Sequence, residues 1–184
     1  MSTQDTTERR AYYRIQDKIA LQISPPAEAL QDAPLFNLLN ELYLLELESQ
    51  PLLRSISEQQ RTLLNYLKIT NKRIDLLANA LAHSLLKSFG EPQPVSLSED
   101  SISLVSPQRY ALGHCLSIRL ILLPQAFALQ LDGRVVRCLQ QDDGSYQLAL
   151  QFNELADAQR QVLARHIIQK QAQERREALA DPAE

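Results

Sequence analysis

Three arginines and two tyrosines fall within six positions near the start of the chain, in Glu8-Arg9-Arg10-Ala11-Tyr12-Tyr13-Arg14-Ile15. Guanidinium groups this close repel one another unless an anion or several carboxylates sit among them. Their planar forks suit phosphate oxygens or the O6/N7 edge of guanine. Two readings fit. In one the arginines form an anion site, with Tyr12 and Tyr13 free to stack on a base. In the other they are a solvated basic stretch beside Asp5, Glu8 and Asp17, with the tyrosines packed in the leader.

The remaining reactive residues make no comparable group. His83, His114 and His166 are far apart in sequence, with no two at metal-ligand spacing, and His83 and His166 read as helix-surface or interface residues. Four glycines are too few for a phosphate-cradling loop, and no GxSxG is present. Glu99 and Asp100 are adjacent, so on a strand their carboxylates would face opposite ways. Cys115 and Cys138 lie in alternating apolar runs and read as buried, reduced thiols. These features point to binding rather than catalysis, with no metal and no cofactor.

The elements that position the arginines follow from length and period. With 184 residues, 45% hydrophobic and 22% charged, the chain is long enough for one globular core plus an appendage. A net charge of -3 argues against bulk DNA, RNA or anionic-membrane binding. No apolar run is long enough to span a membrane, and the polar start lacks a signal peptide's apolar run, so a cytoplasmic protein is expected.

A candidate strand covers Lys18 to Ile23, ended by Ser24-Pro25-Pro26. Asp32 and Pro34 open a helix to Ser49 that is apolar on two faces, and Ser49-Gln50-Pro51 breaks it. The longest unbroken period comes next, from Leu52 to about Ser88. Leu53, Ile56, Gln60, Leu63, Leu67, Thr70, Ile74, Leu77 and Leu81 follow steps of three and four, a heptad seam. Leu64, Ala78 and Leu85 widen that stripe beyond what a two-stranded coil needs, so the hairpin is expected to pool with copies of the same chain in a bundle of at least four helices. Gln60 and Thr70 are its polar exceptions, of the kind that fix register or copy number.

Gly90, Pro92 and Pro94 end this insertion, and the period then changes to two. Val95–Val105, Cys115–Leu122, Phe127–Cys138 and Tyr146–Phe152 read as strands, with Gly133 marking a bend or bulge in the third. Strands this short and closely spaced predict a small antiparallel barrel. A helix from about Asn153 closes the chain, amphipathic through Leu155, Val162, Leu163 and Ile167, before a solvated Gln/Glu/Arg-rich tail.

Arg10-x-x-x-Arg14 preceded by Arg9, then Ser101-Ile102-Ser103-Leu104-Val105-Ser106, Leu131-Asp132-Gly133-Arg134-Val135-Val136 and Tyr146-Gln147-Leu148-Ala149-Leu150-Gln151-Phe152 before a helix, together resemble a PilZ domain. The resemblance implies an α+β fold: a PilZ-like barrel built from residues 8–24 and 95–170, with a C-terminal helix. Residues 33–89 would be an inserted helical hairpin forming an intermolecular coiled-coil bundle, and 1–7 and 171–184 flexible or solvated ends. The hairpin is similar to the insertion of the atypical, tetramer-forming PilZ proteins, which implies a homotetramer. The family implies a bacterial receptor for cyclic di-GMP, which RxxxR and (D/N)xSxxG grip together.

By this resemblance the ligand residues are Arg9, Arg10, Arg14, Ser101, Ser103 and Ser106. RxxxR is whole. In the second motif Ser101 stands where Asp or Asn belongs, Ser103 is retained, and Ser106 replaces the glycine. Starting the motif at Asp100 loses the serine, because position 102 is Ile. A hydroxyl donates one hydrogen bond where a carboxylate accepts two from a guanine edge, so weaker recognition is expected at Ser101. Two functions follow: a cyclic di-GMP effector that signals to a downstream protein, and a non-binding oligomeric adapter of the same shape.

Overall fold

The computed structural model describes residues 13–26, 33–56, 60–123 and 127–180. The elements are β1 (Ile15–Ser24), α1 (Pro34–Ser55), α2 (Arg61–Phe89), β2 (Gln93–Leu97), β3 (Ser101–Ser106), β4 (Cys115–Leu122), β5 (Phe127–Gln140), β6 (Tyr146–Phe152) and α3 (Asp157–Ala180). The six strands close into a barrel in the order β1-β2-β3-β6-β5-β4. Alternation explains the closure. Ile102 and Leu104 of β3, Leu148 and Leu150 of β6 and Val135 of β5 are buried, while Ser103 is half-covered and Val105, Gln151, Arg134 and Val136 are exposed; the small Ala149 is the covered exception.

The described residues divide into two compact units. One holds the chain through Lys18, then Pro94–Cys115 and Gly133 onward; the other holds Ile19–Gln93 and Leu116–Asp132. In the first, β3 pairs with β2 (Ser103 opposite Ser96) and β6 (Ser103 opposite Ala149), and β6 pairs with β5. In the second, β1 pairs with β4, Gln22 opposite Arg119. There the hairpin is antiparallel, because Phe36 and Leu39 at the start of α1 meet Ala82 and Leu85 near the end of α2, in one core with Ile121 and Ala128. Phe36 stacks on Phe89 at 5.7 Å between ring centroids, and Tyr43 lies against Phe127 at 3.9 Å.

Several boundaries differ from expectation. Pro51 does not end α1. The helix runs through it to Ser55, and the turn comes where Ile56 adopts an extended backbone (φ -69°, ψ 122°). An interior proline removes one hydrogen bond and crowds the preceding turn, at a cost of about 3 kcal/mol, which disfavours a helix without forbidding it. Leu53 and Ile56 therefore fall on the α1 side of the turn, and α2 has 29 residues, about 44 Å. Asp32 lies outside the described residues; Pro34 does open α1. Gly90 ends α2 with φ 85°, a conformation that favours glycine.

The 95–105 run is two strands, because Ser98-Glu99-Asp100-Ser101 turns back and pairs Val95 with Leu104. The bulge in β5 falls between Val135 and Arg137 rather than at Gly133. The last helix begins at Asp157, and its polar end stays helical through Ala180.

Of the seam residues on α2, Leu63, Ile74 and Leu77 are exposed at 47%, 43% and 70%, and Leu67 and Thr70 are half-buried. Gln60 is exposed at the start of α2. Thr70 Oγ1 donates to the Tyr66 carbonyl, 3.0 Å away, so its hydroxyl serves its own helix. Leu81 packs against the Phe36–Leu39–Ala82–Leu85 core, and so belongs in part to the chain's own interior. Tyr66, Ile69 and Leu76 add further exposed apolar surface.

Candidate ligand-binding site

The turn between β2 and β3 explains the site. Ser98 N donates to Ser101 O at 2.9 Å, which places Glu99 and Asp100 at the corner, and Phe152 N donates to Asp100 O at 2.8 Å, which fastens the corner to β6. Ser and Asp side chains stabilise such turns by bonding locally. Here both serine hydroxyls lie on one carboxylate oxygen, Ser98 Oγ at 2.6 Å and Ser101 Oγ at 2.7 Å from Asp100 Oδ1. The two hydroxyl oxygens are 2.9 Å apart.

Arg14 arrives just ahead of β1 and binds the outer face of β3. Its Nη2 donates to Ser101 Oγ at 2.5 Å and its Nη1 to Ser103 Oγ at 3.3 Å. A Ser101 hydroxyl that donates to Asp100 keeps its lone pairs for Arg14, so the carboxylate orients the serine. Among the described residues Arg14 makes no ion pair, and its charge is balanced only through the serine. A guanidinium has five N–H donors. Two are used here, and an anion or a guanine edge can take the rest.

Asp17, offered above as a neutraliser of the arginines, is committed elsewhere. Its Oδ2 lies 2.8 Å from His166 Nε2 and its Oδ1 2.9 Å from Lys170 Nζ, both on α3. Burial pushes the Asp17 carboxyl up, but hydrogen bonds from His166 and Lys170 outweigh it and hold the group below its ordinary value. His166 is thus a buried partner, 2% exposed, and not a surface residue. The helical period could not show this, since the partner is 149 residues away.

The structure brings together Arg14, Ser101 and Ser103 and adds Ser98 and Asp100, which reading by motif passed over. The signal was the turn-forming Ser-Glu-Asp-Ser sequence. Ser106 is at the other end of β3, about 16 Å along the strand. It is buried, its hydroxyl donating to Gln108 O at 3.0 Å and accepting from Gln108 N at 3.1 Å. Arg9, Arg10 and Tyr12 lie outside the described residues, and Tyr13 is exposed. His83 sits on the exposed surface of α2, Nδ1 2.8 Å from Asn79 O. Cys115 and Cys138 are free thiols, half-buried rather than buried.

Among the described residues no group of His, Cys, Asp and Glu could hold a metal ion, and no helix is long and apolar enough to cross a membrane.

No curated protein matches the chain. A crystal structure of a pathogenic protein from Xanthomonas campestris, described as a new tetrameric PilZ domain self-assembled via an unusual helical bundle, shares the fold with TM-score 0.59. It is 19% identical, over 90% of this chain and 89% of that one. An inhibitor of motility from Bacillus subtilis (MotI/DgrA) matches at TM-score 0.38 and 18% identity, over 45% of this chain and 42% of that one. The PilZ domain model matches residues 71–169, more than half of the chain and the stretch that carries the Ser98–Ser103 turn, β3, β5, β6 and most of α3. By that match the chain belongs to the PilZ domain family, in general a family of cyclic di-GMP receptors.

Proposed function

We propose that this protein is a bacterial cytoplasmic effector that binds cyclic di-GMP between its arginine leader and the outer face of β3, and signals through protein contacts rather than catalysis. The observation that carries the reading is the Arg14 guanidinium held on Ser101 and Ser103 with no carboxylate paired to it among the described residues. Arg9 and Arg10 would add forks to the same ligand, and Tyr13 a stacking face. Asp100, already beside Ser101, can accept from a guanine edge, a role the family's motif gives to Asp or Asn one position later.

Residues 8–24 and 95–170 would be the receptor barrel, and residues 33–89 the assembly module. The exposed leucines and isoleucines of α2 support a homo-oligomer, and the helical bundle of the Xanthomonas campestris protein suggests a tetramer. Gln60, Leu63, Leu67, Ile74 and Leu77, with Leu53 and Ile56 at the turn, would line that bundle.

A second reading, an oligomeric adapter without a ligand, draws on Ser106, whose hydroxyl closes its own turn where the motif has glycine. Isothermal titration of cyclic di-GMP into the wild type and an Arg10→Ala, Arg14→Ala variant separates the two. Micromolar binding that disappears in the variant supports the receptor. Absence of binding in both leaves the adapter.

A further inference from the structure

The face that receives Arg14 continues across two more strands. Ser101 is paired with Gln151, and Gln151 with Arg134; Ser103 is paired with Ala149, and Ala149 with Arg137. Directly opposed residues in an antiparallel sheet share a face. The neighbours Ile102, Leu150 and Val135 are all buried on the inner side. Arg134 and Arg137 therefore lie on the same outer face as the two serines.

The bulge is what puts the second arginine there. In a regular strand, residues three apart point to opposite sides, and Arg137 would enter the core. The register shift between Val135 and Arg137 inserts one extra residue and restores Arg137 to the outside. Both arginines are exposed, and among the described residues neither guanidinium has an ion pair or a hydrogen bond. Between them and Arg14 the floor is small and polar, Ala149 and Gln151, with no bulky side chain on β6 to separate the two sides. Two strand spacings, about 10 Å, set the width from β3 to β5.

We infer that Arg134 and Arg137 form the second wall of the ligand site and hold the half of the cyclic dinucleotide that lies farther from Arg14. The inference rests on the receptor reading above. A cyclic dinucleotide carries phosphodiesters on two sides of its ring and a base at each end, so a site that grips it from one side only leaves one phosphate and one base in water. Three guanidiniums spread over one face repel each other when empty, and a dianion relieves that repulsion. Each fork also suits the O6/N7 edge of guanine and meets a donor, the N6 amino group, on adenine, which favours cyclic di-GMP over its adenine counterpart.

The test is titration of cyclic di-GMP, with cyclic di-AMP in parallel, into the wild type, Arg14→Ala, and the double variant Arg134→Ala, Arg137→Ala. The double variant should bind cyclic di-GMP about 10- to 100-fold more weakly, the loss of one or two charge-assisted contacts. Its circular dichroism melt should match the wild type, since both side chains are exposed. If it unfolds early, Arg134→Gln, Arg137→Gln keeps the stems and still removes the charge. Wild-type affinity in the double variant together with loss in Arg14→Ala overturns this inference and leaves the receptor reading standing. No binding by the wild type overturns both.

Discussion

Ile74→Glu, Leu77→Glu tests whether the exposed stripe of α2 is an assembly surface. In the single chain these side chains are 43% and 70% exposed, and neither is among the residues that pack the Phe36–Leu39–Ala82–Leu85 core. The substitution should leave the barrel and the hairpin's own packing intact. Full burial of a large aliphatic side chain contributes about 1.5–3 kcal/mol, so covering the area still exposed on these two would stabilise an assembly by about 2–3 kcal/mol per protomer. The glutamates remove that term and add unpaired charge to an apolar interface, which costs several kcal/mol more. At 1.4 kcal/mol per tenfold, the association constant should fall at least about a thousandfold. Light scattering at about 10 μM should then report a single chain's 20.9 kDa for the variant and a multiple of it for the wild type, with superimposable far-ultraviolet circular dichroism. An unchanged multiple in the variant would refute the assembly surface, and so would a wild type of 20.9 kDa.

Asp17→Asn should destabilise the fold by about 2–3 kcal/mol at neutral pH, because it strips the charge that His166 and Lys170 share at 2.8 and 2.9 Å. The sign with pH follows from Asp17 titrating below 3.8 when folded: its contribution is complete above the ordinary carboxylate range and is lost as pH falls through the lower folded value. Urea melts of wild type and variant should differ most above pH 5 and converge in acid; a gap that does not narrow would remove the ion pair as its cause. Ser106→Gly, which restores the family's glycine, should not tighten cyclic di-GMP binding. It should cost about 1 kcal/mol in a thermal melt, since the Ser106 hydroxyl both donates to and accepts from the Gln108 backbone. Tighter binding would mean that the ligand approaches the backbone at 106 after all.

What could be read in the sequence was whatever repeats locally. Cys115–Leu122 and Tyr146–Phe152 come out with their predicted limits, because alternation and turn residues bound them on both sides. The helical hairpin was legible for the same reason, although Pro51 misplaced its turn: a proline disfavours a helix locally without fixing where the helix ends. The reading failed where a partner is remote or a pattern is ambiguous. Val95-Ser96-Leu97-Ser98-Glu99-Asp100-Ser101-Ile102-Ser103 alternates almost without interruption, so one long strand and a two-strand hairpin look alike until pairing is known. His166 gave no sign of Asp17, and the outward position of Arg137 depends on a bulge that the composition of β5 does not mark.

The altered motif illustrates how site chemistry can be carried by a turn instead of by a fixed register. Aligned residue by residue, Asp100 is one position early and Ser101 is a poor substitute for a carboxylate. In three dimensions the Ser98–Ser101 turn curls the chain, so that Asp100 Oδ1 sits 2.7 Å from Ser101 Oγ and one hydroxyl away from the Arg14 guanidinium. The carboxylate thereby acts through the serine: it accepts a hydrogen bond from the Ser101 hydroxyl, which leaves the hydroxyl's lone pairs facing the arginine. Ser101 thus links the Asp100 carboxylate at the corner to the Arg14 guanidinium on the strand, with Ser103 as the second acceptor for Arg14.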